Sequence, residues 1–324
     1  MNINTVGGMT TYNPQLAVMQ FTNNVQLLLQ QRGSRLSGAA LRGDHIGSQA
    51  AAVDQFAPVT AAVVTTQYNT LNSPANTPSN RRWVQPTNYQ WYDMVDNFTK
   101  LLLLNDPTSH YVTNGTYAMG RAMDLQILSA FFGNSVTGEM GASTTAFPAA
   151  QIIPVATGAA SACGLNVAKL IMANQMLMAA NVDMENDTIY CAITAAQHAN
   201  LLNEIQVNSL DFNSRAVLVD GKVTSFMGIN FIHTEMINYA YTPTANVQTI
   251  PCWAKSGMHL GVWNELTANV SQRYDLSSLP YQVYLRGTFG ATRLEEAKVV
   301  QIPCLQPALG PLPPEASILS KKAA

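Results

Sequence analysis

The feature that most constrains this chain is its low content of charged side chains. It carries 17 Lys and Arg and 19 Asp and Glu among 324 residues, or 11%, where an ordinary soluble domain has about 25%. A folded monomer of this mass exposes on the order of 13,000 Å², so each charge would have to solvate roughly 360 Å². Asn, Gln, Ser and Thr replace the missing charges, and a surface of that kind tolerates burial against neighbours. The composition therefore predicts a subunit of a large assembly.

The composition also excludes several classes of protein. Hydrophobic residues make up 47% of the chain, which suffices for a substantial core and excludes disorder of the whole chain. The net charge of -2 argues against a strongly basic surface for nucleic acid, because that affinity comes from clustered Lys and Arg. Residues 1–31 contain neither a charge nor an unbroken apolar run, unlike a secretory signal, so we expect synthesis in the cytosol. No apolar run is long enough to predict a membrane span.

Motifs that carry chemistry are incomplete in this sequence. Gly221 and Lys222 resemble the end of a phosphate-binding loop, but Val223 stands where Ser or Thr is required. Residues 183–187 have the alternating acids of a calcium loop without its glycine or its bidentate acid, and indicate a solvated turn. The four cysteines and five histidines are scattered, which favours buried free thiols and structural or surface imidazoles. The sequence predicts no catalytic residue, no cofactor and no metal site.

The N-terminal part of the chain contains two limbs that enclose no core of their own. Asn13 and Pro14 open, and Arg32 and Gly33 close, a segment whose residues 14–31 are uncharged and include apolar residues at helical spacing, which predicts a helix of about five turns. The small residues of 34–52 indicate an irregular arm. Residues 53–91 contain strand-like runs around a turn rich in Pro and Asn, and predict a long hairpin. Such a hairpin is marginal in water unless something covers it.

The rest of the chain predicts a mixed α+β body. The strongest helix signal covers 114–133, where Arg121 and Asp124 lie three residues apart on the polar side and are expected to pair. Before it, 92–106 indicates a helix or a strand–helix junction. Further helices are predicted at 166–181 and 195–203, a buried strand at 188–193, and short strands near 226–233, 250–255 and 260–262. A final pair of strands is expected at 281–288 and 297–303, followed by an extended, Pro-rich tail.

The order of these elements resembles the major capsid protein of tailed double-stranded DNA bacteriophages, which has the HK97-like fold. The segments that carry the resemblance are YVTNGTYAMGRAMDLQILSAFFGNSVTG from Tyr111, FMGINFIHTE from Phe226 and YQVYLRGTFGATRLEEAKVVQIPC from Tyr281. They are similar, respectively, to the spine helix of the peripheral domain, the middle of the axial domain and the closing peripheral strands. The resemblance covers most of the chain through the order of its segments.

The resemblance implies an α+β, HK97-like chain with a defined division into parts. These are an N-arm (1–52), an extended hairpin loop (53–91), a peripheral domain with the long spine helix (92–155 and 270–306), an axial domain (156–269) and an extended C-terminal tail (307–324). Contacts between subunits are expected from apolar residues of the arm and from an arginine–tryptophan cluster in the loop. These residues are Leu16, Phe21, Leu28, Arg81, Arg82 and Trp83.

The resemblance also implies a structural, non-catalytic function. The chain would form the hexamers and pentamers of an icosahedral shell that encloses double-stranded DNA without sequence-specific binding, and it would reside in the virion after assembly in the host cytoplasm. A separate scaffolding protein and a portal are expected as partners, because the roughly 50 residues before the hairpin are fewer than the assembly domain that some relatives carry. A decoration protein is compatible with this reading. Residues 53–91 contain no lysine for the covalent cross-link of some relatives, so we expect a non-covalent shell.

Two alternatives remain open from the sequence. An encapsulin-type shell that encloses cargo would use the same fold without a portal or scaffold. A cytosolic α+β enzyme with scattered site residues would instead form a small oligomer with a converging polar pocket.

Overall fold

The computed structural model describes residues 30–61, 63, 77–95, 108–204, 223–241, 243, 246–277 and 279–306. Its helices are α1 (Thr108–Phe132), α2 (Val167–Ala179), α3 (Ala195–Leu202) and the single turn α4 (Ile237–Ala240). Its strands are β1 (Leu41–Asp44), β2 (Ala50–Phe56), β3 (Ser79–Val84), β4 (Thr87–Val95), β5 (Ser135–Thr137), β6 (Ser143–Thr145), β7 (Ile189–Ile193), β8 (Ser225–Phe226), β9 (Ile229–His233), β10 (Val247–Ala254), β11 (Met258–Gln272), β12 (Tyr281–Arg293) and β13 (Val299–Leu305). The predicted helix over 14–31 (apart from its last two residues), the hairpin tip, the 96–107 junction and the C-terminal tail lie outside these ranges.

The first sheet has the strand order β1-β11-β12-β4. Its centre is the antiparallel pair of β11 and β12, which have 15 and 13 residues and extend well beyond the short strands predicted for them. Strand β1 adds in parallel to the start of β11, and β4 adds antiparallel to β12. On β12, Val283 and Leu285 are fully buried while the intervening Tyr284 is only partly covered. One face of the sheet therefore packs on α1 and the other faces outward.

The second sheet has the strand order β13-β10-β7-β9-β8 and contains the main hydrophobic core. Helix α2 packs on it through Leu170, Ala173 and Leu177, all fully buried. The helix begins after Asn166, whose side chain accepts a hydrogen bond from the Lys169 backbone N–H at 2.9 Å. This is an N-cap, and it explains why the predicted helix begins where it does.

The third sheet has the strand order β2-β3-β5-β6. Strands β2 and β3 pair antiparallel from Ala50 opposite Val84 to Phe56 opposite Ser79. This pairing confirms the base of the predicted hairpin. The end of the predicted range, 87–91, belongs instead to β4 in the first sheet.

Helix α1 joins two hydrophobic cores. It has 25 residues, which corresponds to about 37 Å. Near its middle, Met119 packs with Val283, Leu285 and Phe289 of the first sheet. Its C-terminal part contributes to the main core, where the Phe131 ring centroid lies 4.5 Å from that of Trp253. One helix thus fixes the relative position of the first two sheets.

Two glycines allow other elements to approach α1 closely. A Cβ atom on Gly115 would lie 2.5 Å from the indole ring of Trp91 on β4. Further along the helix, a Cβ on Gly120 would lie 2.5 Å from the carbonyl carbon of Gly33. Both distances are too short for a side chain, so glycine is required at these positions for packing rather than for backbone conformation.

The predicted bounds of individual helices and strands agree with the structure more closely than the predicted pairing of strands does. The helix predicted at 114–133 is confirmed, although it begins six residues earlier at Thr108. The helices predicted at 166–181 and 195–203 and the strand predicted at 188–193 are confirmed within two residues.

Two expectations about the chain path are wrong. The strands predicted at 281–288 and 297–303 do not pair with each other, because β12 pairs with β11 and β4 whereas β13 pairs with β10. A short 3-10 turn at Glu296–Lys298 redirects the chain from the first sheet to the second. The stretch 34–52 is not simply irregular, since β1 lies in it and Leu36, Ala39 and Ala40 are buried in the main core.

A pair of histidines ties β1 to β11, which the scattered spacing in sequence did not indicate. The Nε2 atoms of His45 and His259 lie 2.8 Å apart, so one imidazole donates a hydrogen bond to the other. Room for the rings comes from Gly43 and Gly261, which lie opposite each other. A Cβ on Gly43 would come within 2.7 Å of the His259 ring, and a Cβ on Gly261 within 2.8 Å of the His45 ring. Burial, followed by the charge of His45, lowers the pKa of His259 to about 4.

We expect Gly120→Ala to destabilise the fold by about 1–3 kcal/mol, because the new methyl group must displace the Gly33 backbone. In an unconstrained helix the same substitution would stabilise by about 1 kcal/mol. The matched control is Gly38→Ala, whose Cβ would meet nothing within 4 Å. Urea-induced unfolding followed by tryptophan fluorescence measures both changes, and equal stabilities of the two variants would contradict the packing argument.

We expect the free energy of unfolding to fall as the pH decreases from 6.5 towards 4. Native His259 stays neutral to about pH 4, whereas the unfolded chain takes up that proton near pH 6.5, so the unfolded state binds more protons in this window. In His259→Gln this part of the pH dependence disappears, while His110→Gln on α1 serves as the control. Urea midpoints measured at several pH values test this, and an unchanged slope in His259→Gln would refute it.

Candidate functional site

The structure places the residues predicted for contacts between subunits in different settings. Leu16, Phe21 and Leu28 lie outside the described residues. The arginine–tryptophan cluster of Arg81, Arg82 and Trp83 lies on β3, at the root of the hairpin. The cluster and its surroundings form the candidate site, which we call the hairpin root and define as residues 50–55 of β2, residues 81–84 of β3 and their contacts with 138 and 294–296.

Arg82 binds the hairpin root to the body of its own chain. Its Nη1 and Nη2 atoms donate to the two carboxylate oxygens of Glu296, each at 2.7 Å. Only 6% of the Arg82 side chain and 20% of the Glu296 side chain are exposed. A bidentate pair in such a setting is strong and geometrically specific. The cationic side chain that the sequence indicated as a contact between subunits is therefore engaged within the chain.

Neighbouring contacts reinforce this attachment. Gln55 on β2 accepts a hydrogen bond from Arg82 Nε at 3.3 Å and donates from its own Nε2 to the Leu294 carbonyl at 2.9 Å. Trp83 donates from Nε1 to the Gly138 carbonyl at 2.7 Å. Both strands of the hairpin are thus bonded to separate parts of the body, so the direction of the hairpin is set by its own chain.

Arg293 adds a second buried cation beside Glu296. Its side chain is fully buried, and its Nη1 atom donates to the carbonyls of Phe131 at 2.6 Å and Gly133 at 3.0 Å, at the C-terminal end of α1. Burial lowers the pKa of Arg293 from its usual value, yet a guanidinium stays charged at all ordinary pH values. A cation at this end of a helix is stabilised by the helix dipole. Sequence reasoning missed both Arg293 and Glu296, because they contact residues more than a hundred positions away.

Arg81 differs from Arg82 in being exposed. It forms an ion pair with Asp54 across the hairpin, and its guanidinium lies 5.6 Å from the centre of the Trp83 ring. The Arg81 side chain is 41% exposed and that of Asp54 54% exposed. This outer half of the cluster remains available to a neighbouring molecule.

Beyond the root, the described hairpin residues are exposed. Residues 56–61 and 63 on the outgoing side of the hairpin and 77–80 on its returning side are all exposed. Three large apolar side chains are among them: Phe56 is 74% exposed, Val59 61% and Val63 84%. Apolar groups of this size, grouped on one segment, mark a surface for interaction.

The second predicted pair, Arg121 and Asp124 on α1, meets the end of the N-terminal segment. Asp124 is fully buried, because residues 31–36 cover the polar side of the helix. Its carboxylate accepts bonds from the Ser34 hydroxyl at 2.5 Å and from the backbone N–H groups of Arg35 and Leu36 at 3.0 and 3.1 Å. Arg121 donates to the Gln30 side chain at 2.6 Å. Both residues thus anchor residues 30–36 of the predicted N-arm, while their mutual pairing stays a prediction.

The described residues offer little chemistry. Within them there is no group of three or more His, Cys, Asp or Glu side chains arranged to hold a metal, and no helix long and apolar enough to cross a bilayer. Cys191, Cys252 and Cys304 are buried free thiols, as predicted, and Cys163 is partly covered.

A half-open cleft of about 620 Å³ lies between α1, the first sheet and residues 33–42. Its walls are largely apolar, and an exposed ion pair of Arg42 and Glu265 lies among its lining residues.

We expect Arg82→Ala to lower the free energy of unfolding by about 2–3 kcal/mol, because it removes the bidentate partner of a largely buried carboxylate. Arg81→Ala is the matched control, and its loss should stay below about 1 kcal/mol because that pair is exposed. Chemical denaturation of both variants compares them, and similar losses would contradict the assigned attachment.

The comparisons with known proteins agree on one family and one fold. The sequence matches the family described as phage capsid protein over residues 14–306, and no curated protein matches. Among solved structures, the capsid of cyanophage P-SCSP1u is 14% identical and aligns with a TM-score of 0.72 over 93% of this chain and 97% of that one. Mycobacterium phage Che8 is 12% identical, with a TM-score of 0.64 over 90% and 98%. The capsid of Ralstonia phage GP4 is 11% identical, with 0.65 over 95% and 100%.

At these identities the structural likeness concerns the fold, and it confirms the α+β, HK97-like fold that the resemblance implied. The family match favours a structural capsid protein over an encapsulin-type shell and over an enzyme. It extends from the predicted N-arm to the end of β13. The chain therefore belongs to the phage capsid protein family.

Proposed function

We propose that this chain is the major capsid protein of a tailed phage, forming the hexamers and pentamers of an icosahedral shell around double-stranded DNA. The family match and the whole-length likeness to phage capsids support a homo-oligomeric shell. The observation that carries the proposal is the hairpin: its root is attached to the body through Arg82, while apolar side chains beyond it are exposed. An exposed strand pair of this kind needs a neighbouring subunit to cover it.

We further propose the division into N-arm (1–52), extended loop (53–91), peripheral domain (92–155 and 270–306), axial domain (156–269) and tail (307–324). The attachment of β2 and β3 at one root supports the loop as a unit. Two strand pairings cross the boundaries of this division. Strand β4 completes the sheet beneath α1, and β13 pairs with β10 within the sheet assigned to the axial domain.

The proposal includes the partners and location that follow from such a shell. A scaffolding protein and a portal would take part in assembly in the host cytoplasm, a decoration protein could bind outside, and the finished protein would reside in the virion. The net charge of -2 supports enclosure of DNA without sequence-specific binding, since tight binding requires many phosphate contacts. The absence of lysine from residues 53–91 supports a shell held together without covalent cross-links.

Expression of the chain with its scaffolding protein tests the proposal directly. We expect closed particles of megadalton mass in electron micrographs and in light scattering. A protein that stayed monomeric under these conditions, or a small oligomer with enzymatic activity, would contradict it. Particles filled with a protein cargo and lacking a portal vertex would favour the encapsulin-type alternative.

The hairpin itself can be tested by substitution. We expect Phe56→Asp to reduce particle yield strongly without lowering monomer stability, because Phe56 is 74% exposed in the isolated chain and a carboxylate is costly to bury at an interface. The matched control is Ile46→Asp in the turn after β1, where the side chain is 96% exposed. Particle counts by negative-stain microscopy compare the two, and normal assembly of Phe56→Asp would argue against a covered hairpin.

A further inference from the structure

One long segment of the chain exposes no charged side chain. From Met140 to Val182 the only charged residue is Lys169, and it is fully buried. Its Nζ atom donates to the carbonyls of Cys163 and Pro303, both at 2.8 Å. The solvent-facing surface of this segment is therefore uncharged, even in comparison with a chain that has few charges overall.

The centre of this surface is the outer side of α2. Ile171 is 50% exposed and Met178 is 57% exposed, and the exposed Gln175 lies between them on the same side of the helix. The opposite side packs into the main core. A helix at the surface of a monomer normally carries charged residues on its outer side, so this helix resembles one that is covered on both sides.

A tight turn places a third apolar side chain beside the helix. Asn174, one turn from both Ile171 and Met178, donates from Nδ2 to the Met227 carbonyl at 3.1 Å. Met227 lies between β8 and β9 with φ of 54°, in the left-handed region, and its side chain is 40% exposed. Asn or Gly is favoured at such a position, and a larger side chain adopts it at a cost of order 1 kcal/mol. The turn thus presents a methionine to solvent where a small polar residue would fit better.

The chemistry of this patch restricts what can cover it. It has no cation to bind nucleic-acid phosphates, and no charge to match a charged partner. Aromatic residues and Met are enriched, and charged residues depleted, at the centres of protein interfaces. Unbranched methionine side chains also adapt well to an opposing apolar surface. A partner of matching chemistry is a neutral, apolar protein surface, and in a homo-oligomeric shell that partner is another copy of this chain.

We propose that Ile171, Met178 and Met227 form a contact patch that a second copy of the chain covers in the assembled particle. The inference rests on the proposed shell function and adds to it a second surface, separate in sequence from the hairpin. The patch belongs to the second sheet and its helix, whereas the hairpin belongs to the third sheet. Each subunit would then contact its neighbours through both.

Charge insertion tests the patch without weakening the helix. Ile171→Glu places an anion in the first half of α2, and Met178→Lys places a cation in its last turn, so each charge suits the helix dipole at its position. Both side chains are at least half exposed, so thermal unfolding of the monomer should stay unchanged. We expect either variant to lower the yield of particles at least about tenfold, because a small loss of interfacial free energy is repeated at each of the many contacts in a shell. Ile46→Lys, in the turn after β1 where the side chain is 96% exposed, lies outside both surfaces, is the matched control and should assemble normally.

A photo-crosslinking amino acid at position 178 of otherwise intact chain gives an independent readout. In particles we expect crosslinks between copies, identified by a band of twice the monomer mass and mapped by mass spectrometry. Crosslinks only within one copy, or normal particle yields for both Ile171→Glu and Met178→Lys, would overturn the patch. Unsubstituted protein is assembled in parallel, so a failure of the shell function itself appears as absence of particles there. If only the proposal of the contact patch is wrong, the unsubstituted protein still forms particles.

Discussion

The arrangement of this protein depends on one helix shared between two cores. Helix α1 packs near its middle on the β4 and β12 strands of the first sheet, and near its end on Trp253 in the main core. Two of its residues, Gly115 and Gly120, have no side chain and let Trp91 and the 33–34 backbone approach the helix closely. A packed core resists small displacements, so a helix that packs in both cores fixes the position of one core relative to the other. The hairpin root and the N-terminal segment are in turn attached to elements that this helix positions.

Several of the few charges in the chain are used for internal attachment. Asp124 attaches the N-terminal segment to α1, and Arg82 and Glu296 attach the hairpin. Lys169 donates to the carbonyls of Cys163 and Pro303, which are far apart in the chain. Each buried charge has hydrogen-bond partners, which is the condition under which burial is tolerated. Because these charges face inward, the outer surface is still less charged than the composition indicates. This division of roles is physically consistent with a subunit whose outer faces are covered by others.

Local patterns in the sequence were sufficient for the elements that depend on local interactions. Apolar residues at helical spacing predicted α2 and most of α1, and the N-cap that the structure shows at Asn166 is likewise a local interaction. Pairings between distant strands could not be predicted in this way. The β12–β13 pairing was wrong because both strands have an alternating pattern that suits either sheet, and only the turn at Glu296–Lys298 separates them. In the same way, the role of Arg82 depends on Glu296, which lies 214 residues away.

By itself, the sequence determined that the chain is poorly charged, that it contains a long helix and a hairpin without a core, and that their order resembles a phage capsid subunit. These are properties of composition and of short-range periodicity, which do not depend on how distant parts of the chain are arranged. Only the tertiary structure decided which side of the arginine–tryptophan cluster faces inward, which histidines meet, and that Asp124 is buried. Such outcomes depend on the free energy of bringing distant groups together, and a local sequence pattern does not specify which distant group a residue will contact.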